Sequence, residues 1–248
     1  MKKLILATAI TAAFAVNLAQ AQEKAPEAPA PEHAVTFNIA VTSDYRYRGI
    51  SQTRLQPALQ GGADYTHNPS GFYVGTWASS IKWVKDGGGS SDVEIDIYGG
   101  KRGNFTEALS YDVGVLSYIY PSNNLKPSAN TTELYGQLGM GPAYIKYSHS
   151  VTNLFGFNDS KNSGYIDIGA NIDVAEGTQL NLHAGHQTVK NSGAFSYTDW
   201  KIGVTKDFGI VSASIAAIGT NTSNYVGPGT NPKNLGKTAA VVAISKTF

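Results

Sequence analysis

Thr238-Ala239-Ala240-Val241-Val242-Ala243-Ile244-Ser245-Lys246-Thr247-Phe248 ends the chain on a period of two. Ala240, Val242, Ile244 and Phe248 share one face, and Ala239, Val241, Ala243, Ser245 and Thr247 the other. An alternating strand that closes on an aromatic ring has the pattern of an outer-membrane barrel, whose strands turn one face to lipid and one to the lumen. In that solvent the usual apolar-inside reading inverts. Lys246 lies on the face of Ile244 and Phe248. Near the interface a lysine costs about 0–1 kcal/mol, against about 2–4 at the midplane, so this end belongs at a membrane rim with Phe248 as an interfacial anchor.

The opposite terminus agrees. Lys2 and Lys3 precede an apolar run from Leu4 to Val16, and Ala19-Gln20-Ala21 offers a small-x-small cleavage site, so residues 1–21 read as a secretory signal. Thr8, Thr11 and Asn17 interrupt the run, which falls short of the roughly 20 apolar residues of a spanning helix. Residues 22–33, rich in Pro, Ala and Glu, have too few apolar groups to fold and read as a periplasmic lead-in. The barrel is then expected over 34–248.

The chain has no cysteine, which excludes thiol chemistry and Cys-based metal sites. Without Lys2 and Lys3, 17 basic residues face 18 acidic ones, a balance that gives no reason to expect nucleic acid. With 14 Tyr and 27 Gly, the composition suits strands whose amphipathic rings mark a membrane interface.

Period two recurs throughout. Val35, Phe37, Ile39 and Val41 alternate with Thr36, Asn38, Ala40 and Thr42; Val93, Ile95 and Ile97 alternate with Asp92, Glu94, Asp96 and Tyr98. Twelve strands are predicted: Val35 to Thr42, Pro57 to Thr66, Phe72 to Trp83, Asp92 to Arg102, Ala108 to Tyr120, Thr131 to Met140, Ala143 to Thr152, Ser163 to Val174, Gln179 to Val189, Tyr197 to Asp207, Ile210 to Thr220 and Lys237 to Phe248. Most are near the 9–11 residues that cross a bilayer at a tilt, and longer than the usual 5–6 of soluble sheets. The facing of 72–83 and 210–220 is ambiguous, because both parities there are apolar or small.

Short links (67–71, 103–106, 141–142, 175–178, 207–209) alternate with long polar ones (43–56, 85–91, 122–130, 153–162, 190–196, 221–236). That sorting puts all long loops on one rim, as in an all-β transmembrane antiparallel up-and-down barrel with short periplasmic turns and longer extracellular loops. The expected location is the outer membrane of a Gram-negative bacterium. Expected partners are outer-membrane lipid, the barrel-assembly machinery through the C-terminal strand, and small solutes.

Ser43-Asp44-Tyr45-Arg46-Tyr47-Arg48-Gly49-Ile50-Ser51-Gln52-Thr53, with Pro57, Gly61-Gly62 and Gly71-Phe72-Tyr73-Val74-Gly75-Thr76-Trp77-Ala78-Ser79, resembles the TorF-type porins of proteobacteria, long catalogued as a family of unknown function, Gcw_chp. Ile95 to Gly100, Tyr111 to Gly114, Tyr118 to Pro121 and the closing Ser245 to Phe248 extend the resemblance over most of the mature chain. It implies an outer-membrane barrel with a pore, and no established substrate.

About 12 strands give a lumen between the filled interior of 8 and the open channel of 16–18. Inward positions include Asp64, Glu94, Asp96, Asp112, Glu133, Asp167, Asp173 and Asp199, set against Arg102, Lys146 and Lys201. The acid excess predicts a weak cation preference. The same charges would equally serve a filled, non-conducting barrel acting through its loops. Tyr45 and Tyr47 are expected as interface anchors, with Trp200, Phe208 and Phe248. Arg46 and Arg48, on the other face, either form a constriction, bind an anionic solute or grip outer-leaflet lipid phosphates bidentately, or point inward to pair with acids.

No catalytic arrangement emerges. In Tyr147-Ser148-His149-Ser150 the histidine and its serines fall on opposite faces, and His183 and His186, three apart, also split. No enzyme activity, cofactor or metal site is expected.

Overall fold

A computed structural model describes residues 31–230 and 232–248. The signal segment and nearly all of the lead-in lie outside the described residues. Twelve strands close into an antiparallel barrel: β1 (His33–Thr42), β4 (Ala58–His67), β5 (Phe72–Ser80), β6 (Val93–Asn104), β7 (Leu109–Ile119), β8 (Thr131–Met140), β9 (Ala143–Ser150), β10 (Gly164–Ala175), β11 (Thr178–Thr188), β12 (Tyr197–Asp207), β13 (Ser212–Thr220) and β14 (Ala239–Thr247). Each pairs with its chain neighbour, and β14 returns to β1 with Asn38 opposite Thr247 and Thr42 opposite Ala243. Phe37 and Phe248 exchange both backbone hydrogen bonds, at 3.2 and 2.8 Å, so the terminal residue is part of the seam. Closure leaves no unpaired strand edge, as a barrel in lipid would require.

The burial pattern is inverted as the period implies. Val35, Phe37, Ile39 and Val41 are 47–58 % exposed, while Glu94, Asp96, Glu133 and Asp199 are 1–2 % exposed. Long and short links separate onto two rims; Gly141-Pro142 and Glu176-Gly177 are two-residue turns.

Two departures from the predicted strands matter. The third strand ends at Ser80, and the chain turns into a one-turn helix, α1 (Trp83–Asp86), whose Val84 is buried. The link between β1 and β4 forms its own hairpin, β2 (Arg46–Tyr47) and β3 (Ile50–Ser51), inside the barrel. The two central residues of its turn, Arg48 and Gly49, have φ of 45° and 79°, the signature of a type I′ turn. A Cβ on Gly49 would lie 2.7 Å from Asp199 Cβ, so the tip touches the wall.

The ambiguous strands carry apolar residues on their inner faces, and on β5 the inward hairpin explains them. On β5, Tyr73 and Trp77 face in, and Trp77 packs edge-on against Tyr45 at 5.4 Å. On β13, Ala216 and Ile218 face in against Val241. Tyr73 and Trp77 belong to the core around the hairpin, whereas Ala216, Ile218 and Val241 form a separate small cluster on the wall.

Most tyrosines also face inward, which corrects their expected concentration at the interface. Tyr73, Tyr98, Tyr118, Tyr135 and Tyr165 are 4–7 % exposed, whereas Tyr65 and Tyr147 face out. Inward glycines make room for the rings: a Cβ on Gly75 would lie 2.5 Å from Tyr98, and one on Gly169 2.5 Å from Tyr144. This ring-over-glycine contact supports sheet curvature.

Candidate functional site

The lumen is crossed by the hairpin, and its side chains tie it to nearly every part of the wall. At its base, Arg46 Nε donates to Asp44 Oδ2 at 2.5 Å, and Nη1 donates to the carbonyls of Gly49, Leu235 and Lys237 at 2.9, 2.9 and 3.1 Å. Ser51 Oγ and Thr53 Oγ1 donate to Asp44 Oδ1 at 2.5 and 3.2 Å. At its tip, Arg48 donates bidentately to Glu133 at 2.7 and 3.1 Å and to Gln187 Oε1 at 2.5 Å. The same guanidinium sits 4.2 Å from the Tyr165 ring centroid and 4.7 Å from that of Tyr47. Only 6 % of the Arg48 side chain and 3 % of Glu133 are exposed, so the pair is desolvated and anchored from both ends.

Tyr45 and Tyr47, expected as interface anchors, are instead inside. Tyr45 is 1 % exposed and donates to Glu94 at 2.8 Å; Tyr47 donates to the Tyr118 hydroxyl at 2.8 Å and packs edge-on against Phe155. The physical reason is the turn: the chain leaves β1 into the lumen rather than along the rim, so neither ring reaches lipid. Nor do Arg46 and Arg48 share a face, because Arg48 occupies the turn and extends across the lumen.

The acidic candidates sit in two groups. On the β4–β8 wall, tyrosine hydroxyls donate to them: Tyr98 to Asp64 at 2.6 Å and Tyr73 to Asp112 at 2.5 Å. Asp96 is buried beside Glu94, with Oδ1 lacking a hydrogen-bond partner among the described residues. Arg102 donates to Thr66 at 3.0 Å and lies over the Tyr73 ring. On the β9–β12 wall, His183 lies between two carboxylates, Nδ1 at 2.7 Å from Asp167 and Nε2 at 2.6 Å from Asp199, to which Tyr165 also donates at 2.9 Å. Lys146 Nζ lies over the Tyr135 ring at 4.3 Å, and Lys201 faces the cavity beside His183. Asp173 is exposed near the short-turn rim, where Gln179 donates to it at 3.1 Å.

A cavity lies on each side of the hairpin, and Tyr47 lines both. The one toward the loops, about 340 Å³, is bounded by Trp83, Tyr120, Phe155, Tyr197 and Tyr225. The one toward the short turns, about 140 Å³, is bounded by Arg46, Arg48, Lys146, His183 and Lys201 with Asp167 and Asp199. The hairpin is thus a partition in a polar shaft.

Asp44, His183, Gln187 and the inward tyrosines of the wall strands were not among the site residues singled out from the sequence. The tyrosines carried a legible signal, since Tyr98 shares parity with Glu94 and Asp96, and Tyr165 with Asp167. Asp44 and Gln187 act through the hairpin's path, which no period reveals. The outer wall carries Trp200, half-buried, and Phe208 and Phe248, 62 and 66 % exposed at the short-turn rim; Lys246 Nζ lies 4.8 Å from the Phe248 ring. His149 and His186 face outward, while Ser148 and Ser150 are buried, so these histidines and serines form no catalytic pair.

The fold is shared with solved outer-membrane porins. The KdgM porin aligns with a TM-score of 0.55 at 6 % identity, covering 86 % of this chain and 98 % of the porin, as does the KdgM porin in complex with disordered oligogalacturonate. The NanC porin in a rhombohedral crystal form aligns at 0.54 and 7 % identity, covering 86 and 98 %. Identities this low establish the barrel architecture alone. No curated protein matches the sequence. A family model does, over residues 25–248, and the chain belongs to that family, described as a bacterial protein of unknown function (Gcw_chp).

Proposed function

We propose that this protein is an outer-membrane channel for passive diffusion of small hydrophilic solutes, held narrow by the hairpin between β1 and β4. The observation that carries this reading is a closed, polar-walled barrel whose lumen is divided by one inward hairpin with a cavity on each side. A hairpin fastened by side chains at base and tip restricts passage without being part of the wall, so it sets a size limit while the barrel stays intact. The porin fold of the structural neighbours supports the location and the channel class. Export through a signal ending near Ala21, engagement of the barrel-assembly machinery by the last strand, and a weak cation preference from the wall carboxylates belong to the same proposal.

The desolvated Arg48–Glu133 pair favours a second reading, a barrel closed at rest that acts as a structural or ligand-binding element through its loop-side cavity. Recording from the purified protein in planar bilayers separates the two. Stepwise conductance with cation-favouring reversal potentials is expected for the channel. Silent insertion of a folded, heat-modifiable barrel refutes it and leaves the second reading.

A further inference from the structure

Where the chain enters the barrel, three donor atoms converge at the short-turn rim. His33 and His67 are direct cross-strand partners at the start of β1 and the end of β4, with ring centroids 5.1 Å apart. Both Nε2 atoms approach Glu32 Oε1, at 3.7 Å from His33 and 3.4 Å from His67. All three donors lie within 4.8 Å of one another. Two ligands about 2.1 Å from a tetrahedral zinc ion stand roughly 3.4 Å apart, so the set is already near binding geometry.

The rings are also oriented from behind. His33 Nδ1 is hydrogen-bonded to the Tyr65 hydroxyl at 2.8 Å, and His67 Nδ1 to Ser70 Oγ at 2.6 Å. A hydrogen bond to the far nitrogen fixes ring direction and leaves Nε2 for a metal, the arrangement found around metal-ligating histidines. Glu32 is positioned by its backbone: Asn68 N donates to its carbonyl at 2.9 Å, and Asn68 Nδ2 donates to the Pro31 carbonyl at 2.7 Å. The side chains of Glu32 and His33 are 67 and 60 % exposed, so an ion reaches them from solution.

We propose that Glu32, His33 and His67 form a binding site for a divalent transition-metal ion of the zinc class, completed by a solvent ligand. Two imidazoles and one carboxylate suit zinc, copper or nickel rather than magnesium or calcium, which take oxygen ligands. The bound ion joins the last residues of the lead-in to the first short turn, and so fixes where the chain leaves the barrel wall. The site is remote from the hairpin and needs no conduction.

The test is calorimetric titration of zinc sulfate into the untagged, chelator-stripped protein in detergent. One ion per chain is expected. His33→Ala and His67→Ala should each abolish saturable binding, Tyr65→Phe should weaken it about tenfold, and His149→Ala, on the outer wall elsewhere, should leave it unchanged. Absence of saturable binding to the wild type overturns the proposal whatever the variants do. So does zinc binding that survives in a His33→Ala/His67→Ala protein with heat-modifiable migration. A silent channel in bilayers leaves the site standing, so the two proposals fail separately.

Discussion

Arg48→Ala tests whether the hairpin sets the passage. The substitution removes two hydrogen bonds to Glu133, one to Gln187 and two ring contacts, while the base clamp of Arg46 on Asp44 stays. Among the described residues, the hydrogen bond left to Glu133 would be that from the Tyr118 hydroxyl, at 3.4 Å, in a site 2 % exposed. Removing one partner of a buried pair costs about 3–5 kcal/mol, chiefly because the other charge is stranded. At about 1.4 kcal/mol per decade, even the lower figure shifts the balance between seated and unseated tip by about a hundredfold. The tip should therefore leave Glu133, and water should enter to solvate the carboxylate. Single-channel recording should show larger steps or a much greater open fraction than in the wild type. Arg48→Ala/Glu133→Gln, which no longer strands a charge, should regain stability yet remain more open. If the heat-modifiable Arg48→Ala barrel gives the wild-type step size and open fraction, the hairpin is not the constriction.

Three further outcomes are expected. Gly100→Ala would put a Cβ 2.5 Å from the Tyr73 hydroxyl and should cost about 1–3 kcal/mol in urea unfolding from lipid vesicles, whereas Gly193→Ala, with open space around it, should cost far less. Ile202→Arg, in the middle of β12 and 56 % exposed on the outer wall, should destabilise by about 2–4 kcal/mol in the same assay if that wall meets lipid. Lys85 donates to Asp92 at 2.7 Å in the loop before β6, and that hydrogen bond holds the Asp92 carboxyl below the usual carboxylate range. Its contribution is present above the ordinary carboxylate pKa and lost as pH falls through the lowered one. Lys85→Ala should raise the Asp92 midpoint, read by NMR, with little change in thermal stability, because both groups are in water.

The wall was legible because its physics is local. An apolar outer face and a polar inner one impose a period of two, and Val35 to Thr42 or Thr131 to Met140 could be placed within a residue or two from that period alone. The interior was less legible, because what fills it is not periodic. Ser43 to Gln56 reads as a long polar loop, and nothing in its spacing says that the chain turns inward at Ser43, whose amide donates to the Val242 carbonyl at 2.8 Å. Once it does, Tyr45 and Tyr47 exchange a membrane interface for a packed core, and β5 meets them with Tyr73 and Trp77 on its inner face. The rim site was missed for a related reason. His33 and His67 lie 34 residues apart, and only strand register brings them together.

If the barrel conducts as proposed, register also decides which charges a permeating ion would meet, and this qualifies a count of inward residues. Asp64, Asp112 and Glu94 each accept a tyrosine hydroxyl, and the rings of Tyr98, Tyr73 and Tyr45 are packed about the β4–β8 wall. The turn-side cavity, by contrast, is bounded by Arg46, Arg48, Lys146 and Lys201 against Asp167 and Asp199, and those two carboxylates share His183. Potential in a narrow shaft is set by the groups nearest the path, because low-dielectric walls focus their field. Each lysine beside the path should then count for more than each of the more distant carboxylates, which keeps the cation preference from the acid excess weak. Lys146, 8 % exposed over the Tyr135 ring, is the sharpest probe of this arrangement. Lys146→Gln should move the reversal potential toward cations more than Asp112→Asn moves it toward anions. The opposite ranking, in two barrels that both fold and conduct, would mean that ions travel along the tyrosine-covered wall and not through the cavity beneath Arg48.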